Sequence, residues 1–369
     1  MSKANLFIGL MSGTSIDAVD AVLISFDNHM PNLIGTHSQP IPADLKQSIL
    51  QLCDPHKDSV QLLAETDHRL GKLYAKTSLK LLRKQRLDGS AITAIGCHGQ
   101  TIRHIAPERD QISYSLQIGD ANIVAAETNI AVVADLRRKD MALGGQGAPL
   151  VPAFHHHVFA SSDSHRVIVN IGGIANITSL PTDNSCSGFD TGPGNILMDI
   201  WSQIHLGTSY DHNGDWAATG SVQQELLKQL KQCDFFAAPP PKSTGRELFN
   251  RNWLKQQLTN FSDLAPQDIQ ATLLQLTADS ICESIEGLSS PAEEIYVCGG
   301  GAFNSKLLST LTERLAKVLT TESLGIAPNW VEACAFAWLA KQRLDHQAGN
   351  LVAVTGAKKP TILGALYLP

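Results

Sequence analysis

Two short apolar runs open the chain, with a polar, glycine-containing break between them. Leu6-Phe7-Ile8-Gly9-Leu10 is β-prone, Ser12-Gly13-Thr14-Ser15 is a turn, and residues 19–26 are β-prone again. Residues 5–26 are therefore predicted as strand, tight turn, strand. Between 59 and 86, Leu63, Leu70, Leu73 and Leu81 recur among charges at a helical period. Short strands are predicted at 91–96, running into Cys97-His98-Gly99-Gln100-Thr101, and at 130–134, ending at Asp135. The opening pattern then returns. Residues 166–170 read as a strand, Ile171-Gly172-Gly173 as a turn and 174–180 as a second strand. Helices are predicted at 196–204, 272–285 and 305–315. A buried strand at 294–298 enters Gly299-Gly300-Gly301, and residues 332–340 are apolar on nearly all sides, the mark of a buried helix. Pro239-Pro240-Pro241-Lys242 must be extended.

The two hairpins repeat in form and not in letters, and each opens one half of the chain, which predicts a duplicated α/β domain. The basic, then glycine-rich stretch RRKDMALGGQGAPLVP (137–152) is the expected crossing between lobes. The expected first lobe is 1–136 plus 351–369, and the second is 137–350.

Length agrees with two lobes, since 369 residues exceed one ordinary core. With 43% hydrophobic and 17% charged residues the chain is a folded, soluble type. A formal net charge of -6 argues against nucleic acid as a partner, while a local glycine loop can still bind phosphate. The 7 cysteines form no C-x-x-C pair and read as free thiols of a reducing compartment. The apolar stretch 6–11 is too short for a signal core, and no run reaches membrane-spanning length. The expected location is the cytoplasm, with no membrane partner.

Four segments carry candidate chemistry. The turn after residue 11 lets backbone N–H groups approach a phosphate, with the hydroxyls of Ser12, Thr14 and Ser15 as further donors; alone, it equally fits an ordinary hairpin. The turn Asn170-Ile171-Gly172-Gly173 gains meaning by pairing with the first. Neither is a Walker loop, and strands rather than helices follow the glycines, which disfavours a dinucleotide fingerprint. Gly299, Gly300 and Gly301, between a buried strand and a helix, admit close approach of a nucleoside. Asp190 in Gly188-Phe189-Asp190-Thr191-Gly192 reads as a carboxylate just before a helix, placed either as a general base or as a cap. Asp17 and Asp20 alternate after the first turn, His98 and Gln100 end a strand, and Glu332 opens an apolar helix. His155-His156-His157 cannot all face one ion and reads as structural; no zinc spacing is present, and no protein metal site is expected.

The paired glycine hairpins and the late glycine turn resemble the acetate kinase, sugar kinase, heat-shock chaperone and actin superfamily, which implies duplicated actin-like (ribonuclease H-like) domains with a central cleft. Within it, GLMSGTSIDAVD (9–20), CHGQTIRH (97–104), LQIGDANIVAAET (116–128), GGQGAPLVPAFH (144–155), NIGGIANIT (170–178), GFDTGPGN (188–195), PPKSTGRE (240–247), CGGGAFN (298–304) and VTGA (354–357) resemble the anhydro-N-acetylmuramic acid kinase family. The resemblance implies hydrolytic opening of a 1,6-anhydro amino sugar coupled to phosphorylation by ATP. It further implies that Gly13, Thr14, Ser15, Ile16, Asp17, Ala18, Val19 and Asp20 hold the nucleotide phosphates. Asn170, Gly172 and Gly173 would face them, and Gly299, Gly300 and Gly301 would lie near the nucleoside. Asp190 would be the base, with His98 and Glu332 as sugar contacts. Mg2+ would arrive as Mg-ATP, with Asp17 or Asp190 near it through water, and the family implies a homodimer. Many superfamily members carry aspartate near Met11 and at Asn170; both are absent here. The competing readings are another sugar kinase of the superfamily, or an actin- or chaperone-like ATP switch.

Overall fold

The structure is a computed structural model that describes residues 5–27, 30–107, 112–246 and 248–369. Glu247, the last residue of the segment 240–247, lies outside the described residues. The chain divides into two compact units, residues 1–158 with 330–369, and 159–329.

Unit 1 is built on the strands β1 (Leu6–Met11), β2 (Ala18–Asp27), β3 (Met30–Pro40), β4 (Ala94–Cys97), β5 (Gln100–Ile105), β6 (Tyr114–Ile118) and β7 (Val132–Ala134). In unit 2, β8 (Arg166–Ile171), β9 (Ile174–Leu180), β10 (Ser187–Pro193), β11 (Glu294–Cys298) and β12 (Val318–Thr320) form a second sheet, while β13 (Ala365–Tyr367) returns to the first. The sheet orders are β13-β7-β4-β1-β2-β3 and β10-β9-β8-β11-β12. In each, a hairpin of three antiparallel strands is followed by two strands parallel to the first. The duplication expected from the two hairpins is therefore a duplication of topology. It makes the chain a mixed α/β protein of two actin-like domains.

The cores follow from the strand patterns. Ile8, Leu10, Val19, Ala21 and Leu23 face the helix Val60–Gln85 through Leu70, Tyr74 and Leu81. That helix starts where Ser59 accepts the Leu62 N–H at 3.1 Å, and ends at Arg86 in the left-handed region. In unit 2, Val167, Val169, Ile171, Ile177 and Val297 pack on Leu273, Leu274 and Ile281 of the helix Pro266–Glu286.

The other face of the first sheet carries the helix Val331–Leu344, which the sequence placed in the second lobe. It lies on β1 and β4 so closely that a Cβ at Gly9 would come within 1.9 Å of the Ala333 carbonyl oxygen. That contact draws the C-terminal 40 residues into unit 1, and the glycine-rich stretch 144–147 belongs to it as well. The chain crosses between units after Val158, later than the expected 137–152.

Candidate active site

The first glycine turn is anchored from beneath. Ser12 is 2% exposed, and its hydroxyl shares a 2.7 Å hydrogen bond with the Tyr74 hydroxyl and lies 3.4 Å from the Gly99 carbonyl. Its hydroxyl therefore faces inward, unlike Thr14 and Ser15, which are exposed. Ile16 donates its N–H to the Gly13 carbonyl and adopts a φ of 57°. For a β-branched residue that is a strained backbone. It is held because the Ile16 side chain is buried. Val19 is also buried, so at both positions only main chain can meet a ligand. Ala18 is half-buried at the start of β2, and Asp17 is exposed and ion-paired with Lys46 at 2.6 Å. Asp20 stands opposite Met11 and Ser38; burial pushes its carboxyl up and the Ser38 hydroxyl pulls it back.

His98 and Gln100 join this turn. The His98 main-chain N–H donates to Leu10 O at 3.1 Å, and Gln100 Nε2 lies 3.4 Å from Gly13 O. They do not end one strand as the sequence suggested, because β4 stops at Cys97 and Gln100 opens β5. The His98 ring is 5% exposed and lies 4.6 Å from the Phe336 ring. Glu332, half-buried in the first turn of the helix Val331–Leu344, is one turn before Phe336 and shares its face.

In unit 2, Cys298, Asn170, Asn176 and Asp190 are successive partners across β11, β8, β9 and β10. Directly opposed residues point to the same face of a sheet, so these four form one row. The Cys298 thiol is 3.7 Å from Asn170 Oδ1. With neighbouring strands about 4.8 Å apart, the row spans roughly 14 Å from the triple-glycine turn to Asp190. Asp190 itself corrects one expectation. It lies on β10, beside an irregularity between Asp190 and Gly192, and the following helix begins only at Ile196. Its orientation comes from the segment after the prolines. Asp190 N–H donates to Lys242 O at 3.0 Å, and Thr244 N–H donates to Asp190 Oδ2 at 2.9 Å. The Lys242 ammonium is pushed down by burial and partly restored by the Asp190 charge; it donates to the carbonyls of Phe235 and Phe236.

The second turn is tied to the same region. Gly194 N–H donates to Gly173 O and Asn195 N–H to Gly172 O, both at 2.8 Å, while Asn195 Nδ2 reaches Ile171 O at 3.3 Å. Asn195 also approaches Gly300 and Gly301. Unit 2 thus brings together Asn170, Gly172, Gly173, Asp190 and the glycines 299–301, and unit 1 brings together residues 12–20 and His98.

Glycines at Gly299 and Gly301 are required by the fold itself. A Cβ would meet Asn170 Oδ1 at 2.5 Å and Ile171 Cγ2 at 2.3 Å respectively. Three others differ. A Cβ would meet nothing within 4 Å at Gly13, only Ile174 O at 3.5 Å at Gly172, and only Asn195 Nδ2 at 3.7 Å at Gly300, none of them with a positive φ. Neither packing nor conformation demands glycine there, whereas close backbone approach of a phosphate or nucleoside would. The residues present therefore fit ATP. Among the described residues no group of three or more His, Cys, Asp or Glu could hold a metal ion.

Sequence reasoning missed Tyr74, Arg137, Lys242, Thr244 and Asn195 as supports of the site. Asn195, Lys242 and Thr244 lie inside motifs that the resemblance already marked; Tyr74 carried no local signal.

Two sheets of one topology, each with a glycine turn at the carboxyl end of its first strand, define the class of two-domain actin-like proteins. The family model described as anhydro-N-acetylmuramic acid kinase matches residues 5–369. The anhydro-N-acetylmuramic acid kinase of Shewanella pealeana is 52% identical over 366 residues, covering 98% of each chain. That of Saccharophagus degradans is 50% identical over 371 residues and covers 100% of each. The chain belongs to the anhydro-N-acetylmuramic acid kinase family. Among solved structures, component A of the (R)-2-hydroxyglutaryl-CoA dehydratase of Acidaminococcus fermentans aligns with 90% of this chain and 96% of its own at 11% identity and a TM-score of 0.47. The fold class rests on the strand order instead.

Proposed function

We propose that the chain is an ATP-dependent sugar kinase that opens 1,6-anhydro-N-acetylmuramic acid with water and phosphorylates it to N-acetylmuramic acid 6-phosphate, in the recycling of peptidoglycan. The observation that carries this reading is the family match across residues 5–369. The Asp190 carboxylate takes a proton from water as the water oxygen bonds the anomeric carbon. The bond from that carbon to the oxygen on carbon 6 breaks, that oxygen bonds the γ-phosphorus of ATP, and ADP leaves. Thr244 aims the carboxylate by its N–H, and the Lys242 ammonium is the cation that feels its charge. The backbone from Gly13 to Asp20, and that of Asn170, Gly172 and Gly173, receives the phosphates; Gly299 to Gly301 lie by the nucleoside. His98 and Glu332 contact the sugar. Phosphoryl transfer asks mainly for positioning and charge stabilisation, which fits backbone cradles better than covalent groups.

Asp17 or Asp190 is the carboxylate that would meet the water shell of a magnesium ion carried on the triphosphate, which would supply charge neutralisation at the phosphate oxygens. A cytoplasmic homodimer is part of the same proposal, taken from the family.

The test mixes enzyme, Mg-ATP and 1,6-anhydro-N-acetylmuramic acid and follows ADP and sugar phosphate together. Equimolar, sugar-dependent products are expected in the wild type, with a loss of about two to four orders of magnitude in Asp190→Asn. ADP release indifferent to the sugar would sink the kinase reading and favour an ATP switch.

A further inference from the structure

The protonation state of His98 is written in its neighbours. Arg137 places Nε at 3.1 Å and Nη2 at 2.8 Å from His98 Nε2. A guanidinium has donors only, so Nε2 must be the acceptor of both and the proton of the neutral ring must sit on Nδ1. An imidazolium would set N–H against N–H. The third prong of Arg137, Nη1, donates to Gly147 O at 2.8 Å, and Gly147 N–H donates to Asp140 Oδ2 at 2.8 Å. Asp140 is fully buried and also takes hydrogen bonds from Asn350 Nδ2 and Thr355 Oγ1, both at 2.7 Å. The glycine-rich loop 144–147 is thereby a bracket for Arg137, and Arg137 is a bracket for His98. Phe336 covers one face of the ring. His98 Nδ1 is buried, and the main chain of Gly99 and Ser12 is what the ring meets on its other side. His98 also lines a polar cavity of about 230 Å³ with Gln117, Asp120 and Asn122.

We infer that Arg137 is a positioning residue that locks His98 as the neutral Nδ1–H tautomer, so that His98 braces the phosphate turn through its main chain and is not a proton carrier of the reaction. The role assigned to the reaction rests on the kinase reading; the tautomer does not. Two consequences follow. Proton removal from the attacking water falls to Asp190 alone, and the one N–H of the His98 ring is turned to the main chain of Ser12 and Gly99. Burial and the Arg137 charge both hold the imidazole well below its usual range, which agrees with a ring that stays neutral.

The experiment is nitrogen NMR of histidine-labelled enzyme at neutral pH without substrate, with His98 assigned by its absence from His98→Gln. A pyrrole-type signal for Nδ1 and a pyridine-type signal for Nε2 are expected. In Arg137→Lys a single donor replaces the fork, the tautomers mix, and kcat/KM for the sugar falls by about 10²-fold, the order attached to a misplacement of 1 Å. An imidazolium or Nε2–H signal in the wild type overturns the inference, as does an Arg137→Lys enzyme with wild-type tautomer and turnover. If Arg137→Lys does not fold, the wild-type spectrum alone decides the tautomer. A wild type with the expected spectrum but no sugar-dependent ADP refutes the kinase reading and leaves the tautomer standing.

Discussion

Gly96→Ala tests how the site is supported from behind. Gly96 lies on β4 under the helix Val331–Leu344, and a Cβ there would sit 1.9 Å from Phe336 O, 2.6 Å from Phe336 C and 3.1 Å from Ala340 Cβ. Real Cβ contacts essentially never fall below 3.0 Å, so helix and strand must separate by more than 1 Å. The obstacle is backbone and cannot rotate away. Overpacking of this kind costs about 1–3 kcal/mol. At about 2–4 °C per kcal/mol for a domain of this size, the melting temperature should fall by roughly 2–12 °C. The same helix carries Phe336, whose ring is 4.6 Å from His98, and Glu332. A shift of 1 Å there should lower kcat/KM by about 10²-fold. Gly13→Ala is the matched control, because its Cβ meets nothing within 4 Å. Its stability should stay within about 0.5 kcal/mol of wild type, while KM for ATP rises. Thermal melts and steady-state kinetics of the two variants decide the matter. A Gly96→Ala enzyme that melts with the wild type, or a Gly13→Ala enzyme that loses stability and keeps its ATP affinity, would refute the reasoning.

Tyr74→Phe removes the hydroxyl that meets Ser12 at 2.7 Å and should cost about 1 kcal/mol in urea denaturation; no change would mean that the bond does not support the turn. Asp140→Asn turns an amide N–H against one of three converging donors and should destabilise unit 1 by about 1–3 kcal/mol by calorimetry, with loss of the Arg137 bracket. Lys317, Tyr296 and Arg166 hold the Glu294 carboxyl down at about 2, against an ordinary 4.5. Its stabilisation is therefore present above pH 4.5 and drains away as pH falls toward 2. Glu294→Gln should flatten the acid limb of stability against pH in that window, and an unchanged limb would remove Glu294 as its source.

The hairpins that open both halves were legible because glycine turns between apolar, β-prone runs are local signals, and the duplicated α/β domain was read from them; the strand order was not. The helix at 332–340 was legible as buried but not as belonging to unit 1. Its partner is a sheet more than 200 residues earlier, and the close contact uses Gly9 and Gly96, which a sequence reading takes for weak strand positions. Asp190 was misread as a helix-start residue, since four closely spaced glycines and prolines look like a turn and are in fact an irregular strand. Its partner Thr244 lies 54 residues on, and Ser12 and Tyr74 are 62 apart. Pairs at such separations leave no periodicity behind.

The duplication supplies two equal frames with unequal chemistry. In unit 2 the row at the end of the sheet is Cys298, Asn170, Asn176 and Asp190. The corresponding row in unit 1 is Cys97, Leu10, Ala21 and His37, apolar through its centre. Cys97 and Cys298 both end the fourth strand of their frame, so the two rows are in register. A carboxylate at the third-strand position can be reached through polar neighbours only in unit 2. In unit 1 the same centre is sealed against the helix Val60–Gln85, and the polar groups move outward to the exposed turn residues Thr14 and Ser15 and to His98 just past the strand. On the proposed function, one frame would hold phosphate from a strained turn and the other would aim a base. A reaction that needs both a phosphate acceptor and an activated water makes use of that asymmetry, whereas a switch that only binds and releases nucleotide does not require the polar row.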